Sequence, residues 1–484
     1  MIEAISEEVH NLCRRYQTLA LNEDHTTLTV ALSEEAPQEL LAALRFATGK
    51  RIHLEQWPAA RLELALALNQ RYLQAETPPL AAAERAPAAA SLDDASDTPV
   101  VQFINQTLRM AIQRRASDVH FEPYQQRFRV RLRIDGVLQA IASPPAELAA
   151  RLSARLKIMG QLDIAERRLP QDGQLSLWLD NARYSMRIAT LPTLHGEKVV
   201  LRILQTERQE LPLEGLGMSR AALGSYAAAL ASPQGMILVT GPTGSGKTVT
   251  LYSGLRQLND AQSNLCSVED PIEIPLFGVN QTQVNAKTEL SFSKVLRALL
   301  RQDPDVIMIG EIRDQETAEI AVKAAQTGHL VLSTLHTNST GETLTRLTHM
   351  GIPGYLIAAC LKLVIAQRLV RRLCEHCRYQ QSRPTQFPAA IWPEPLTAWR
   401  ADGCEHCFSG YYGRIGVYEL LAVTPEVQAG LLQNATPGQL ADIARQQGQI
   451  TLLQAGLTLV AAGVTSLEEL YRVVDITACG GERP

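Results

Sequence analysis

Residues 236–255 read MILVTGPTGSGKTVTLYSGL. Met236–Thr240 is a short apolar run, the pattern of a buried strand, and Val249 onward has the spacing of a helix. Between them lie Gly241, Pro242, Thr243, Gly244, Ser245, Gly246, Lys247 and Thr248. Glycines at these positions let consecutive backbone N–H groups curl around phosphate oxygens. The lysine reaches the β- and γ-phosphates and the threonine hydroxyl holds Mg²⁺. The N-terminus of the following helix adds a dipole that favours anions. A strand, this loop and a helix in that order predict an ATP site at the carboxyl edge of a mainly parallel α/β sheet.

Downstream, DVIMIGEIRD supplies a second apolar strand, Val306–Ile309, ending in Gly310 and Glu311. A carboxylate at a strand tip beside a phosphate loop holds Mg²⁺ through water or polarises the attacking water. SVEDPIE gathers Glu269, Asp270 and Glu273 around a proline-fixed turn, which also reads as a charged turn or helix cap. TGHLVLSTLHTN places His329 and His336 at opposite ends of one strand, too far apart to be a simple metal pair.

The 484 residues are too many for one compact domain. The net charge of −4 gives no global attraction to nucleic acid or to an anionic membrane. The N-terminus mixes acids and bases and does not read as a signal peptide. No apolar run is long enough for a spanning helix, so a cytoplasmic location is expected. Residues 1–74 read as a small α/β module and 75–98 as an Ala/Pro-rich linker. Residues 99–210 read as an α+β domain, in which Phe128, Val130, Leu132 and Ile134 alternate with Arg127, Arg129, Arg131 and Arg133 before an Asp135-Gly136 turn. The ATPase core is expected over 211–373, a cysteine insert over 374–412 and a helical remainder over 413–484.

The tetrapeptide CEHC occurs twice and supplies Cys374, Cys377, Cys404 and Cys407, with about 26 residues between the pairs. In a reducing compartment paired CxxC motifs favour a metal over disulfides, and four thiolates favour a closed structural Zn²⁺ site. A redox or iron site is the alternative open to four cysteines. His376 and His406 lie inside the pairs and are poorly placed to ligate. The loop between the pairs has little obvious core, which predicts a protruding finger held by the metal.

Together these motifs resemble the ATPases of type II secretion and type IV pilus assembly, the general-secretory E-type and PilB-type proteins. The likeness extends over residues 98 to about 475 and includes ASDVHFEP, RVRLRIDGVL, RRLPQDGQ and GYYGRIGVYELL. The resemblance implies a RecA-like core preceded by a PAS-like domain, and a homohexamer with ATP bound between subunits. It implies Mg²⁺ at Thr248 and Glu311, a general base at Glu273, and a γ-phosphate sensor at His336. Arg131 and Arg133, with Arg129, lie where the family supplies arginines to the nucleotide, and Arg301, with Arg297, matches basic positions before the second strand. Many relatives carry arginine where this chain has Gln174, so the arginine set differs. The N-terminal module is expected to dock on inner-membrane platform proteins, placing the motor peripherally at the cytoplasmic face of that membrane. The engine is thus expected to power pilus assembly or protein secretion. The alternatives are a nucleic-acid transport motor, which the acidic balance opposes, and a non-catalytic platform, which the intact motifs oppose. No direct nucleic-acid binding is expected, because the loop between the cysteine pairs has few bases.

Overall fold

The computed structural model describes residues 99–474 apart from 180–181, 205–211 and 434, together with residues 90–91 and parts of 13–62. The chain forms two units, Met1–Ala86 and Pro87–Pro484. In the first, strands β1 (Leu19–Glu23), β2 (Thr27–Leu32) and β3 (Arg51–Gln56) form one sheet; β1 and β2 run antiparallel, β2 and β3 parallel. A parallel pair needs a crossover. Here the crossover brings Leu40 and Leu44, one helical turn apart, onto Leu28 and Val30. The linker expected over 75–98 lies outside the described residues, except that Ala90–Ser91 (β4) pair in parallel with the Leu177–Trp178 stretch of the next sheet.

The second unit opens with helix α1 (Pro99–Gln113), β5 (Asp118–Pro123), β6 (Phe128–Ile134), β7 (Val137–Ala142), α2 (Ala149–Met159), β8 (Gln171–Leu179), β9 (Ala182–Thr193) and β10 (Gly196–Leu204). The sheet order is β4-β8-β9-β10-β5-β6-β7. Strand β6 shows how sequence sets its faces: Phe128, Val130, Leu132 and Ile134 are buried against Ile104 and Leu108 of α1 and Leu152 and Leu156 of α2, and the arginines occupy the other face. Asp135 and Gly136, at φ 47° and 86°, make the turn into β7.

The expected ATPase core follows: α3 (Arg220–Leu230), β11 (Gly235–Thr240), α4 (Lys247–Leu258), β12 (Leu265–Glu269), β13 (Val279–Gln283), α5 (Phe292–Leu299), β14 (Val306–Ile309), α6 (Gln315–Gln326), β15 (Leu330–Leu335), α7 (Thr340–His349), α8 (Gly354–Cys360) and β16 (Leu361–Leu373). The order is β13-β12-β14-β15-β11-β16-β19, where β19 is Tyr411–Ala422; all pairs are parallel except β16–β19. Helices cover both faces, with α3 and α4 on one and α5, α6, α7 and α8 on the other. All six residues of β11 are therefore buried, which explains a continuous apolar run in place of alternation.

Strand β16 ends one residue before Cys374, and β19 brings the chain back. Between them β17 (Arg378–Gln380) and β18 (Trp399–Ala401) pair antiparallel. GYYGRIGVYELL reads as a turn into a strand, and β19 is that strand, so the helical remainder expected over 413–484 begins after it, with α9 (Pro425–Leu432), α10 (Pro437–Gln446), α11 (Leu452–Ala461) and α12 (Leu467–Val473). The expected protruding finger is corrected. Leu396 and Ala398 are buried, and Phe387, Ile391 and Trp392 pack on the cluster built by α11 and α12. Prolines break the period of these apolar residues, so the sequence concealed their burial. No helix among the described residues is long and apolar enough to cross a membrane.

Glu469 fastens the C-terminal helices to β16. Its fully buried carboxylate accepts from Arg371 at 2.8 Å and from Arg472 at 2.6 and 2.8 Å. Burial alone raises the pKa of this carboxyl, but the arginine donors more than reverse that and hold it below the usual range. Its stabilising contribution is then present above the unfolded carboxyl's value of about 4.3 and is lost as pH falls through the lower folded value. Glu469→Gln is expected to destabilise the fold by about 3 kcal/mol at pH 7 and to flatten the loss of stability in acid. Urea unfolding at pH 7 and pH 4 measures both.

Candidate nucleotide and metal sites

The phosphate loop is pressed between β11 and β16. A side chain at Gly241 would meet the Gln367 carbonyl at 2.5 Å, and one at Gly246 the Gln367 side-chain amide at 2.8 Å. Gly241, Gly244 and Gly246 also have φ of 148°, 80° and 89°, so glycine is required by space at two positions and by conformation at all three. Thr240 anchors the loop's start: Thr337 N–H donates to its hydroxyl at 2.9 Å, tying β11 to the segment after β15. Gln367 accepts from the Thr250 hydroxyl at 2.7 Å. Lys247 is buried and donates to the carbonyls of Gly241 and Pro242 at 2.7 and 3.1 Å. Burial draws its pKa down to about 8; nearby Arg368 adds to this and Glu311 opposes it. Thr248 is half-buried at the first turn of α4, and the Ser245 hydroxyl is buried without a partner.

Glu311 follows β14 after the single residue Gly310. His336 Nε2 lies 3.2 Å from one carboxylate oxygen, and Arg313 pairs with the other. Arg313 also reaches Asp270 at 3.8 Å. Burial pushes the Glu311 carboxyl up, but Arg313 and then His336 outweigh it, leaving the group below the ordinary range and ionised. Asp314 caps α6 by accepting from Thr317 N–H at 2.8 Å, which fixes the turn carrying Glu311. Glu269, Asp270 and Glu273 divide into three environments. Glu269 is buried and accepts from Ser267 at 2.6 Å, Gln281 at 3.0 Å and the Tyr252 hydroxyl of α4. Asp270 faces Arg313, and Glu273 is exposed. His329 stays at the far end of β15, with its Nδ1 2.9 Å from the Ala324 carbonyl, and does not join His336.

The arginines of β6 meet carboxylates of β5. Arg129 and Arg131 pair with Glu122 at 3.1 and 2.7 Å, with Lys198 at 3.1 Å; Arg133 pairs with Asp118 at 3.6 Å. None of these contacts is to the phosphate loop. Arg297 pairs with Glu316 at 2.7 Å, and Arg301 donates to the Arg297 carbonyl.

The four CEHC cysteines converge, with all four sulfurs within 4.8 Å of one another. Cys374–Cys404, Cys377–Cys407 and Cys404–Cys407 are 3.7, 3.8 and 3.7 Å apart. A tetrahedral ion with bonds of about 2.3 Å to sulfur requires about 3.8 Å between sulfurs; a disulfide requires about 2.05 Å. The cluster fits Zn²⁺. His376 and His406 are not part of it and lie against each other with their rings tilted by 40°, centroids 4.4 Å apart.

A sequence model of the Type II/IV secretion system protein family matches residues 93–472, and one of the MshEN domain matches residues 3–78. The chain belongs to the Type II/IV secretion system protein family. It is 50% identical over 463 residues to the "Protein transport protein HofB homolog" of Escherichia coli (strain K12), covering 96% of this chain and 97% of that one. It is 44% identical over 489 residues to the type IV pilus assembly ATPase PilB of Pseudomonas aeruginosa, covering 97% and 86%. Klebsiella pneumoniae type II secretion system protein E is 42% identical, covering 96% and 95%. Among solved structures, the pilus retraction motor PilT with bound ADP aligns at TM-score 0.52 and 26% identity, covering 76% and 95%. The Legionella pneumophila ATPase DotB, at TM-score 0.58 and 21% identity, covering 81% and 99%, supports the fold alone. The expected family, α/β fold with a four-cysteine cluster and ATP hydrolase class are borne out.

Within this secretion-family chain, motif reading passed over Arg313, Arg368 and Tyr252. Arg368 is buried beside the loop and donates to the Asn338 carbonyl at 3.0 Å and to that of Val473 at 3.3 Å. The sequence signal for Arg313 was its place two residues after Glu311; nothing local marks the other two.

Arg313→Ala is expected to raise the Glu311 pKa and so move the acid limb of the pH–rate profile for ATP hydrolysis to higher pH; Glu311→Gln is expected to abolish that limb and cut turnover by about 10²-fold or more. For the cysteines, elemental analysis is expected to find one Zn²⁺ per chain, lost in a Cys404→Ser, Cys407→Ser double variant.

Proposed function

We propose that the protein is a homohexameric motor at the inner face of the cytoplasmic membrane that hydrolyses ATP to drive assembly of a pilin-like fibre, or secretion through one. The observation that carries this reading is Glu311 at the tip of β14, in contact with both Arg313 and His336, in the same sheet as the glycine-bound phosphate loop. In this reading Lys247 and the loop amides of Gly241–Thr248 receive the β- and γ-phosphates. Thr248 and Glu311 hold Mg²⁺, which neutralises charge on the phosphates when bound. Glu311 orders the attacking water, with Glu273 the second candidate for general base. His336, resting on Glu311, reports the γ-phosphate by changing partner. Arg131 and Arg133, with Arg129, and Arg301, with Arg297, complete the site across the domain and subunit boundaries. Their planar forks suit phosphate oxygens.

The names of the relatives support pilus assembly and type II secretion alike. Residues 1–74 are the proposed docking module for membrane platform proteins, and 75–98 the linker. Residues 99–210 are the arginine-bearing domain, 211–373 the nucleotide-binding core, 374–412 the zinc insert and 413–484 the completion of the core. No observation favours a nucleic-acid track.

A fragment starting near Pro212, which keeps α3 (Arg220–Leu230) over the core sheet, is expected to lose most ATP hydrolysis while remaining folded by circular dichroism, because it lacks the arginines of β6. Undiminished turnover by that fragment would refute their role. Light scattering with a non-hydrolysable ATP analogue is expected to show a hexamer; a monomer would refute the ring.

A further inference from the structure

The seven residues after the last cysteine of the metal cluster grip the arginine-bearing domain. Phe408, adjacent to Cys407, packs against that domain's core, and the Arg114 guanidinium lies over its ring at 5.4 Å from the centroid. Arg115 stacks on Tyr412 at 3.9 Å. Gly413 N–H donates to the Asp135 carboxylate at 3.0 Å, and Arg414 approaches its other oxygen at 3.9 Å. Both contacted positions are constrained on the receiving side: Arg115 and Asp135 have φ of 54° and 47°, which ordinary residues rarely adopt. Asp135 stands two residues beyond Arg133, at the end of the arginine strand β6.

The gripping segment is itself tied to the cysteines. Phe408 and Tyr411 exchange backbone hydrogen bonds at 2.9 and 3.0 Å, closing a tight turn directly after Cys407, and Cys374 N–H donates to the Gly410 carbonyl at 2.9 Å. A side chain at Gly410 would strike the Ala401 carbonyl at 2.6 Å, so the turn seats against β18 only with glycine there. A turn pinned on both cysteine pairs carries four residues into the neighbouring domain.

We propose that the four-cysteine insert is the fastener of the arginine strand: closed around its metal, it presents Phe408, Tyr412, Gly413 and Arg414 as one rigid edge that holds α1 and the Asp135 end of β6. Phe408 and Asp135 are then positioning residues for ATP hydrolysis, acting through the arginines of β6. This rests on the zinc assignment and on the arginine role proposed above.

Hydrogen exchange by mass spectrometry on the full-length protein tests it, with turnover and metal content measured on the same samples. Four proteins are compared with wild type: Phe408→Ser, Tyr412→Ala, Asp135→Asn and the Cys404→Ser, Cys407→Ser pair. Exchange over residues 128–142 is expected to quicken roughly tenfold in Phe408→Ser, Tyr412→Ala and the cysteine pair, and less in Asp135→Asn, whose amide oxygen still accepts from Gly413 while the attraction to Arg414 is lost, with exchange over α4 (Lys247–Leu258) unchanged as the control for folding. Phe408→Ser and Asp135→Asn are expected to keep their zinc. Unchanged exchange over 128–142 in Phe408→Ser and Tyr412→Ala, or in the double variant after it has lost its metal, overturns the fastener. A metal-free wild-type protein overturns its metal dependence. Faster exchange with undiminished turnover supports the fastener and refutes the arginine role instead.

Discussion

The central strand β11 has no freedom to end anywhere else. Flanked by β15 and β16 and covered on both faces, it delivers Gly241 against the Gln367 carbonyl, where no side chain fits. The chain must turn there, and the glycines decide how it turns. Because β16 supplies both the wall behind the loop and the acceptor for Thr250, the loop's shape belongs to the sheet and not to the octapeptide alone. Such preorganisation lets backbone amides meet phosphate oxygens without first being rearranged.

The same sheet aligns the acids. Strand β12 ends in Glu269 and β14 is followed by Glu311, with β15 next in order, followed by His336. Neighbouring parallel strands thus deliver their carboxyl-end residues to one edge. Glu269 and Glu311 nevertheless differ in chemistry. Glu269 is buried and saturated by Tyr252, Ser267 and Gln281, which ties the turn bearing Asp270 to helix α4. Glu311 is held by Arg313 and His336, both of them exposed side chains. A carboxylate satisfied by buried neighbours positions the turn; one held by exposed cations stays within reach of solvent.

Legibility in the sequence followed the range of the interactions. The strand–loop–helix of residues 236–255, the alternation in β6 and the doubled CEHC are local patterns whose physics acts within a few residues. Arg368, Tyr252 and the long-range bond of Asp135, whose turn alone was legible, were hidden for the opposite reason. Their partners are Asn338, Glu269 and Gly413, 30, 17 and 278 positions away in sequence. Leu396 and Trp392 were hidden differently, by prolines that removed any period from a segment that nevertheless buries apolar side chains.

The arginine strand carries more cations than the carboxylates beside it can neutralise. Glu122 collects Arg129, Arg131 and Lys198, and Asp118 collects Arg133 and Arg202, so these contacts set five cations against two carboxylates. Burial pushes the Glu122 carboxyl up, but its cations overcome that and hold it at about 2, so it remains charged throughout the physiological range. The carboxylates orient the guanidinium forks without neutralising the face. In the role proposed for these arginines, a triphosphate would meet surplus positive charge whose side chains are already paired, and the entropy of fixing long side chains would be met during folding and not at binding. Only the position of the strand is left to be set, and its one end beyond Arg133 is held by the Asp135–Gly413 hydrogen bond.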